Sequence, residues 1–469
     1  MSDAAPLLVE LLCEELPPKA LARLGDAFAA GLLDALREQQ LAVDDARGVP
    51  FATPRRLAVL IDPVRARAPD QTVRVKGPSV SVGLDANGEP TVALRKWADK
   101  QGASLEQLSR ESDGRQDSFW FTRTQAGAAL DSAIEAAIAR ALERLPIPKV
   151  MHYQLGDGTT TVSFVRPAHG LLVLHGTAVL PASVLGLRSS RLTHGHRFLG
   201  RAEIELEHAN DYERRLTDEG RVIPSFARRR SRIESMLRDA AAGLRASLGD
   251  DAEVSELLDE VTALVEWPAV YVGEFEREFL SVPQECLILT MRTNQKYFPL
   301  FDAQGRLEPR FLIVSNMQIA DASNIVDGNE RVVRPRLADA RFFFEQDRRR
   351  RLAERVPQLA QVVYHAKLGT LAQRVDRIRA LAGAIATRLG TDAAAAEHAA
   401  TLAKADLLTA MVGEFPELQG VMGRHYALHD GEPAEVCEAI AEHYRPRYSG
   451  DALPRTDAGT AVALADKLE

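Results

Sequence analysis

The sequence predicts an α+β protein of several domains, in which a mixed α/β body with a small inserted subdomain precedes an all-helical domain. A chain of 469 residues is longer than one hydrophobic core usually organises, so two to four domains are expected. Strand-like alternation and helical periodicity take turns over the first three quarters of the chain, and beyond them apolar residues recur almost only at helical spacing. The predicted domains are the body at 1–73 and 149–345, the inserted α+β subdomain at 74–148, and the helical domain at 346–469.

Composition limits the compartment and the class of partner. The formal net charge is −8, which argues against a generally basic nucleic-acid binder and leaves room only for local basic patches. Cys13, Cys286 and Cys437 are widely separated, so neither a zinc ribbon nor a disulfide framework is expected. The apolar run 7–12 is short and contains Glu10, so it predicts neither a signal peptide nor a membrane span. We therefore expect a cytoplasmic protein.

The N-terminal pattern predicts a strand, a helix and a second strand. Residues 7–12 indicate a buried strand, and apolar residues at helical spacing follow from 21 to 36. Residues 51–60 predict a strand that is entered at Pro54 and has Arg55 and Arg56 at its mouth. The two arginines fit a solvated strand edge or a contact with phosphate or an acidic partner, and this one block does not decide between them.

The central segment predicts a hairpin followed by a loop and a helix. Residues 296–301 and 310–315 alternate as strands around a turn that contains Gly305. Residues 321–329 are rich in Asp, Asn and Gly, which favours a polar loop. Pro335 suits a first helical turn, so a helix is expected to begin there.

Arginine is concentrated just after that loop. Residues 331–355 contain nine arginines against four acidic residues. Such a run fits a solvated helix face with ion pairs between successive turns. Because the guanidinium fork matches phosphate geometry, it fits a polyanionic partner equally well.

Histidines and aspartates of the helical domain raise the possibility of a metal-dependent phosphohydrolase of the HD type. Such sites need a His on one helix, a His-Asp pair on a second and an Asp on a third. The expected pair position reads Ala405-Asp406, and His429-Asp430 is predicted to lie in a glycine-containing turn. We therefore predict a degenerate HD-like domain without a metal. The other candidates weighed were His365, His425, His443 and Asp466.

Several motifs resemble the beta subunit of bacterial heterotetrameric glycyl-tRNA synthetase. They are RTNQKYF at 292–298, GNERV at 328–332, RLADARFF at 336–343, TPRRLA at 53–58 and GHRF at 195–198. The resemblance implies an α2β2 enzyme whose alpha subunit uses ATP and Mg to activate glycine, while the beta subunit supports recognition and charging of tRNA(Gly). It also implies that the chain is truncated within the HD-like domain and lacks the C-terminal anticodon-binding domain.

The expected function is therefore that of the tRNA-binding subunit of glycine–tRNA ligase, without catalytic residues or a cofactor of its own. The sequence has no phosphate-binding loop and no glycine-rich dinucleotide fingerprint. No membrane or DNA partner is expected, and a phosphohydrolase or a non-catalytic assembly scaffold are the alternatives. Phosphate contacts would position the acceptor arm while Asn and Arg read base edges, although each Asn equally fits a turn cap. The candidate RNA contacts are Arg55, Arg56, Arg197, Arg292, Asn294, Lys296, Asn324, Asn329, Arg331, Arg334 and Arg336.

Overall fold

The structure is a computed structural model that describes residues 4–85, 87–112, 116–249 and 252–469. Its architecture is mixed, with several sheets and a helical C-terminal region, as predicted. The chain divides into two compact units. The first unit is Met1–Ser231 with Thr262–Trp267, and the second is Arg232–Val261 with Pro268–Glu469.

The first unit is built on a seven-stranded sheet with the order β11-β12-β9-β1-β3-β2, in which β10 also pairs with β9. The pairing is antiparallel except between β12 and β9. The remaining strands form the small sheet β4-β6-β5 and the pairs β7-β8 and β13-β14. The strands are β1 Ala4–Cys13, β2 Ala42–Thr53, β3 Arg56–Arg65, β4 Gln71–Ser79, β5 Leu108–Ser112, β6 Asp117–Gln125, β7 Met151–Gln154, β8 Thr161–Phe164, β9 Ala168–His175, β10 Ala178–Val179, β11 Ser183–Val184, β12 Leu187–Ser190, β13 Leu192–Thr193 and β14 Ile204–Glu205.

Helices cover both faces of the large sheet, because β1 is apolar on both sides. Leu7 and Val9 pack into one core together with α1 and α4, whereas Leu8 packs into a second core with Tyr212 of α5. Alternate residues of a strand point to opposite faces, so one short run supplies both cores. The helices of this unit are α1 Leu21–Glu38, α2 Val80–Gly83, α3 Val92–Gln101, α4 Leu130–Glu143 and α5 Tyr212–Asp218.

The predicted strand 51–60 is wrong as a single element. β2 ends at Thr53 and β3 begins at Arg56, so Pro54 and Arg55 form the turn of a hairpin whose strands pair from Thr53↔Arg56 onward. Proline cannot donate to a strand ladder but suits a turn, and the run of apolar residues on both sides concealed the break.

The second unit combines a three-stranded antiparallel sheet, ordered β15-β17-β16, with helices. The β16-β17 hairpin confirms the hairpin predicted around Gly305. A π-helical segment, Thr290–Gln295, precedes β16. The helix α6 Phe226–Gly243 crosses the boundary between the units. The elements that follow it, as far as the arginine-rich helix, are α7 Ala252–Thr262, β15 Ala269–Glu274, α8 Gln284–Leu289, β16 Phe298–Phe301, β17 Leu307–Ser315 and α9 Ser323–Asp347.

The helix expected to begin at Pro335 begins twelve residues earlier, so the predicted loop 321–329 is largely helical. Two tertiary contacts stabilise the additional N-terminal turns of α9. Tyr297 donates its hydroxyl to the Asn329 amide oxygen at 2.6 Å, and the Glu330 carboxylate accepts the backbone N–H of Glu274 at 2.9 Å. Pro335 lies inside the helix, where its missing N–H normally costs stability. Packing against the rest of the unit overrides that local preference.

The C-terminal part is helical, as predicted, and shares one hydrophobic core with the three-stranded sheet of the same unit. A short hairpin, β18-β19, precedes its helices. Among the described residues, no helix is long and apolar enough to cross a membrane. The domain ranges predicted from the sequence stay a prediction. The remaining elements are β18 Val363–His365, β19 Gly369–Thr370, α10 Leu371–Leu389, α11 Ala393–Leu402, α12 Ala410–Glu414, α13 Val421–Asp430, α14 Ala434–Glu442 and α15 Asp457–Leu468.

Candidate nucleic-acid interface

The turn between β2 and β3 places Arg56 in the interior of the first unit. Its side chain is 1% exposed. The guanidinium pairs with Glu10 at 3.3 Å and Glu266 at 3.5 Å, and donates to the backbone oxygen of His194 at 2.8 Å and to the Thr193 hydroxyl at 3.3 Å. These partners occupy the guanidinium, so Arg56 has a structural role and we remove it from the candidate RNA contacts.

Opposite charges within this network offset the effect of burial on Arg56 and Glu266. Burial alone would lower the pKa of Arg56, but Glu10 and Glu266 raise it above its ordinary value. Burial would raise the pKa of Glu266, yet Arg56 and Arg55 hold it below its usual range. Arg55 is 20% exposed and pairs with Glu266 at 3.1 Å, so its charge is largely neutralised as well.

Arg229 is a second buried arginine, and it is not among the candidate RNA contacts. It lies on α6 and donates to the carbonyl oxygens of Ala52, Ile223 and Thr262 at 2.8, 2.6 and 3.0 Å. Burial lowers its pKa to about 9. The run of arginines around it in the sequence gave no signal that this one faces the core.

The GHRF block forms a tight turn with an exposed arginine. Both the Phe198 and Leu199 backbone N–H groups donate to Nδ1 of His196, which is buried. His196 therefore shapes the loop. Arg197 is exposed and makes no ion pair to any residue that the structure describes. Arg197 thus stays a candidate contact in the first unit.

The block 292–296 is more enclosed than expected. Arg292 is 7% exposed and pairs with Glu253 at 2.7 Å, and Lys296 pairs with Glu260 at 3.0 Å. Lys296 has a φ of +61°, which ends the π-helical segment. Asn294 is exposed. Both cations of this block already face carboxylates, so Asn294 is the exposed one of its three candidate contacts.

Two asparagines that were expected to read bases lie on α9. Asn329 accepts from Tyr297 and donates through Nδ2 to the backbone oxygen of Ile325 at 2.6 Å, so its amide has a structural role. Asn324 is exposed in the first turn of α9. Of these two, Asn324 therefore stays available to a ligand.

The arginines of α9 divide into paired and unpaired groups. Arg334 pairs with Glu276 at 2.5 Å, which helps to hold the pKa of Glu276 below its usual range together with a backbone hydrogen bond. Arg341 pairs with Glu278 and Glu345. Arg331 and Arg336 are exposed, and neither has a salt bridge within the described part of the chain.

The turn after α9 adds further cations. Arg349 and Arg351 are exposed and make no salt bridge to a described residue. Arg348 lies 5.2 Å from the centre of the Phe344 ring and contacts His429 at 2.9 Å. From α9 to this turn, the second unit therefore presents exposed arginines without carboxylate partners among the described residues, which is the kind of surface that attracts phosphates.

The proposed HD-type ligands do not form a metal site. Among the residues that the structure describes, no group of three or more His, Cys, Asp or Glu side chains is placed to hold a metal ion. His365 lies on the exposed strand β18, and His425 contacts Glu285 at 3.2 Å. His429 and Asp430 lie in the last turn of α13, so their predicted placement in a turn is wrong. The helix runs through Asp430 and ends there, where Gly431 in the left-handed conformation caps it.

The buried Lys404 lies close to Asp466, one of the remaining candidate ligands. Lys404 is 2% exposed, and its ammonium lies 3.1 Å from Asp466 and 4.0 Å from the centre of the Tyr444 ring. Asp406 is fully buried and accepts the N–H groups of Gly420 and Gly423 at 2.6 and 3.0 Å. Lys404 thus compensates the charge of Asp466. The two backbone donors both reach Oδ2 of Asp406, and its Oδ1 has no hydrogen-bond partner among the described groups.

Comparison with known proteins identifies the family. The family model of the glycyl-tRNA synthetase beta subunit matches residues 7–469. The chain belongs to this family. It is 57% identical to the glycine–tRNA ligase beta subunit of Aromatoleum aromaticum, with 100% of this chain and 67% of that protein covered.

Other relatives agree with this assignment. The beta subunits of Ralstonia nicotianae and Dechloromonas aromatica are 55% and 54% identical, each over 99% of this chain and 67% of the relative. The chain thus spans about two thirds of the length of the curated relatives that it matches. The family resemblance predicted from the motifs is confirmed.

Proposed function

We propose that this chain acts as the tRNA-binding subunit of a glycine–tRNA ligase. The family match over residues 7–469 carries the subunit assignment. In this proposal an alpha subunit binds ATP, Mg and glycine and forms the adenylate, and the two kinds of chain assemble as α2β2. The chain described here supplies contacts to tRNA(Gly) and no reacting group.

Four unpaired arginines of the second unit support the location of the RNA contacts. Arg331 and Arg336 lie on α9, and Arg349 and Arg351 lie in the turn that follows it; none of them has a carboxylate partner among the described residues. An unpaired guanidinium at the surface releases counterions when it meets a phosphate, so it contributes directly to RNA affinity. Arginines already paired with carboxylates, such as Arg334, have less to offer a phosphate.

In this mechanism the chain only positions the tRNA and takes no part in bond formation. Phosphate contacts from these arginines would fix the register of the tRNA, and Asn324, which is exposed, would contact a base edge or sugar hydroxyl. With the tRNA held by this chain, its acceptor end reaches the adenylate on the alpha subunit. The reaction is ATP + glycine + tRNA(Gly) giving glycyl-tRNA, AMP and diphosphate.

The test compares tRNA(Gly) binding by the parent chain and by the double variant Arg331→Ala/Arg336→Ala over a range of salt concentrations. Losing two phosphate contacts should weaken binding at low salt and reduce the slope of log K against log salt by about 2. The matched control is Arg238→Ala, because Arg238 is exposed on α6 of the same unit but pairs with Glu234 at 2.9 Å. Circular dichroism and thermal unfolding establish that each variant is folded.

Glycylation assays with purified alpha subunit, with and without this chain, complete the test. Stimulation by the parent chain and weaker stimulation by the double variant at limiting tRNA would support the proposal. Association with the alpha subunit without any tRNA binding at low salt would refute it and favour the assembly scaffold.

A further inference from the structure

One face of α9 presents an aromatic ring between unpaired arginines. Arg331, Pro335 and Phe342 are spaced by four and seven residues, so they lie on the same side of the helix. The opposite side holds the buried residues Val333 and Leu337. The exposed side therefore forms a strip, with Arg331 about 16 Å from Phe342 along the helix axis.

Phe342 is exposed in an unusual setting. Its side chain is 56% exposed, and its ring centre lies 5.8 Å from that of Phe343 in an edge arrangement. Phe343 in turn packs against the core of the unit. A single exposed apolar residue needs no special explanation. Here, however, the ring is held at one edge, and exposed arginines without a described carboxylate partner precede and follow it along the chain. Within one turn of the ring the helix also carries Asp339 and the Arg341–Glu345 pair.

The charge around the ring points to a nucleic acid. Arg331 lies on the N-terminal side of Phe342, and Arg349 and Arg351 follow it in the turn after the helix. Aromatic side chains and arginines are also enriched at interfaces between proteins, so the ring alone does not identify the partner. The proposed RNA-binding role of the chain favours a nucleic acid, because single-stranded nucleic acids bind where bases can stack on an aromatic ring and phosphates can meet nearby arginines.

We propose that Phe342 is a stacking platform for an unpaired nucleotide of the tRNA, with Arg331, Arg349 and Arg351 contacting phosphates elsewhere along the same RNA. This inference rests on the proposed function and adds a positioning residue to it. Unpaired bases of RNA stack on exposed aromatic side chains, and every base offers a flat face for this. The unpaired 3′ end of the tRNA is the segment that has to be positioned for charging, so we assign the nucleotide to that end.

The experiment measures binding of the whole chain to two RNAs, tRNA(Gly) and the same RNA without its unpaired 3′ nucleotides. The variants are Phe342→Ala, Phe342→Leu and Phe342→Trp. Replacement by Ala or Leu should weaken binding of the complete tRNA about tenfold, whereas Trp should preserve it. The shortened RNA should bind the parent chain and the Ala variant equally well.

Two further readouts distinguish stacking from a structural effect. Stacking involves no counterion release, so Phe342→Ala should leave the salt slope unchanged, unlike the double arginine variant. The fluorescence of the Phe342→Trp variant, corrected for the three native tryptophans, should be quenched by the complete tRNA only. The control is Val332→Ala, since Val332 is 49% exposed on a different side of the same helix.

The outcomes separate this inference from the proposed function. If the arginine variant loses tRNA affinity but Phe342→Ala and Phe342→Leu bind like the parent, the stacking platform is refuted and the proposed function stands. If Phe342→Ala keeps tRNA affinity but loses association with the alpha subunit, the ring belongs to a protein interface and the inference is overturned. If the parent chain binds neither RNA, the proposed function itself fails.

Discussion

Two groups of arginines, one in each compact unit, show how differently the same side chain is used. Arg56 in the first unit is buried against Glu10 and Glu266, whereas Arg331 in the second unit is exposed and has no salt bridge to a described residue. Both belong to motifs that resemble those of the family. The difference teaches that an arginine-rich motif indicates a phosphate site only where the fold leaves the guanidinium without a carboxylate.

The largest expected effect follows from removing the buried member of this comparison. Arg56→Ala would leave the buried Glu10 without a cation and Glu266 with Arg55 alone, so the free energy of unfolding should fall by about 4 kcal/mol. Denaturant unfolding measures it, with Arg331→Ala as the matched exposed variant. The latter should stay within about 0.5 kcal/mol of the parent. Equal effects of the two substitutions would contradict the division between structural and exposed arginines.

A somewhat smaller loss of stability is expected from replacing Lys404, the buried lysine of the second unit. This variant tests whether burial, rather than the unit in which a cation lies, sets its contribution to stability. Lys404→Met removes the ammonium that contacts Asp466 at 3.1 Å, while Arg374 remains 3.1 Å from the same carboxylate. The free energy of unfolding should fall by about 3 kcal/mol. Lys367→Met is the control, because Lys367 is exposed on the β18-β19 hairpin. A stability loss no larger than the control's would show that Lys404 is dispensable.

The smallest of these effects depends on pH. Burial raises the pKa of Asp406 to about 6, above its value in an unfolded chain. The folded state therefore binds this proton more tightly. The resulting stability is fully present below about pH 4 and is lost as the pH rises through about 6.

Asp406→Asn should remove that pH dependence, because the amide stays neutral and its oxygen can still accept from Gly420 and Gly423. Relative to the parent, the variant should gain of the order of 2 kcal/mol between pH 4 and pH 7. Unfolding curves at several pH values measure this difference. Parallel stability profiles for the two proteins would mean that Asp406 does not titrate in this range.

Local patterns predicted elements well wherever one periodicity prevailed. The buried strand β1, the β16-β17 hairpin and the C-terminal helices follow from alternation, turn residues and helical spacing. Elements were misplaced where a local signal met a tertiary contact. The clearest case is Pro335, which suggested a helix start although the contacts of Asn329 and Glu330 support twelve earlier residues.

The sequence by itself determined the mixed architecture, the family and the segment in which arginine is concentrated, because these depend on residue order and composition. Only the tertiary structure decided which cations remain available. Pairing of Arg292 with Glu253 and of Lys296 with Glu260 joins residues that lie far apart along the chain. Such partners meet only when the backbone folds, and burial then decides whether a charge holds the structure together or faces a ligand.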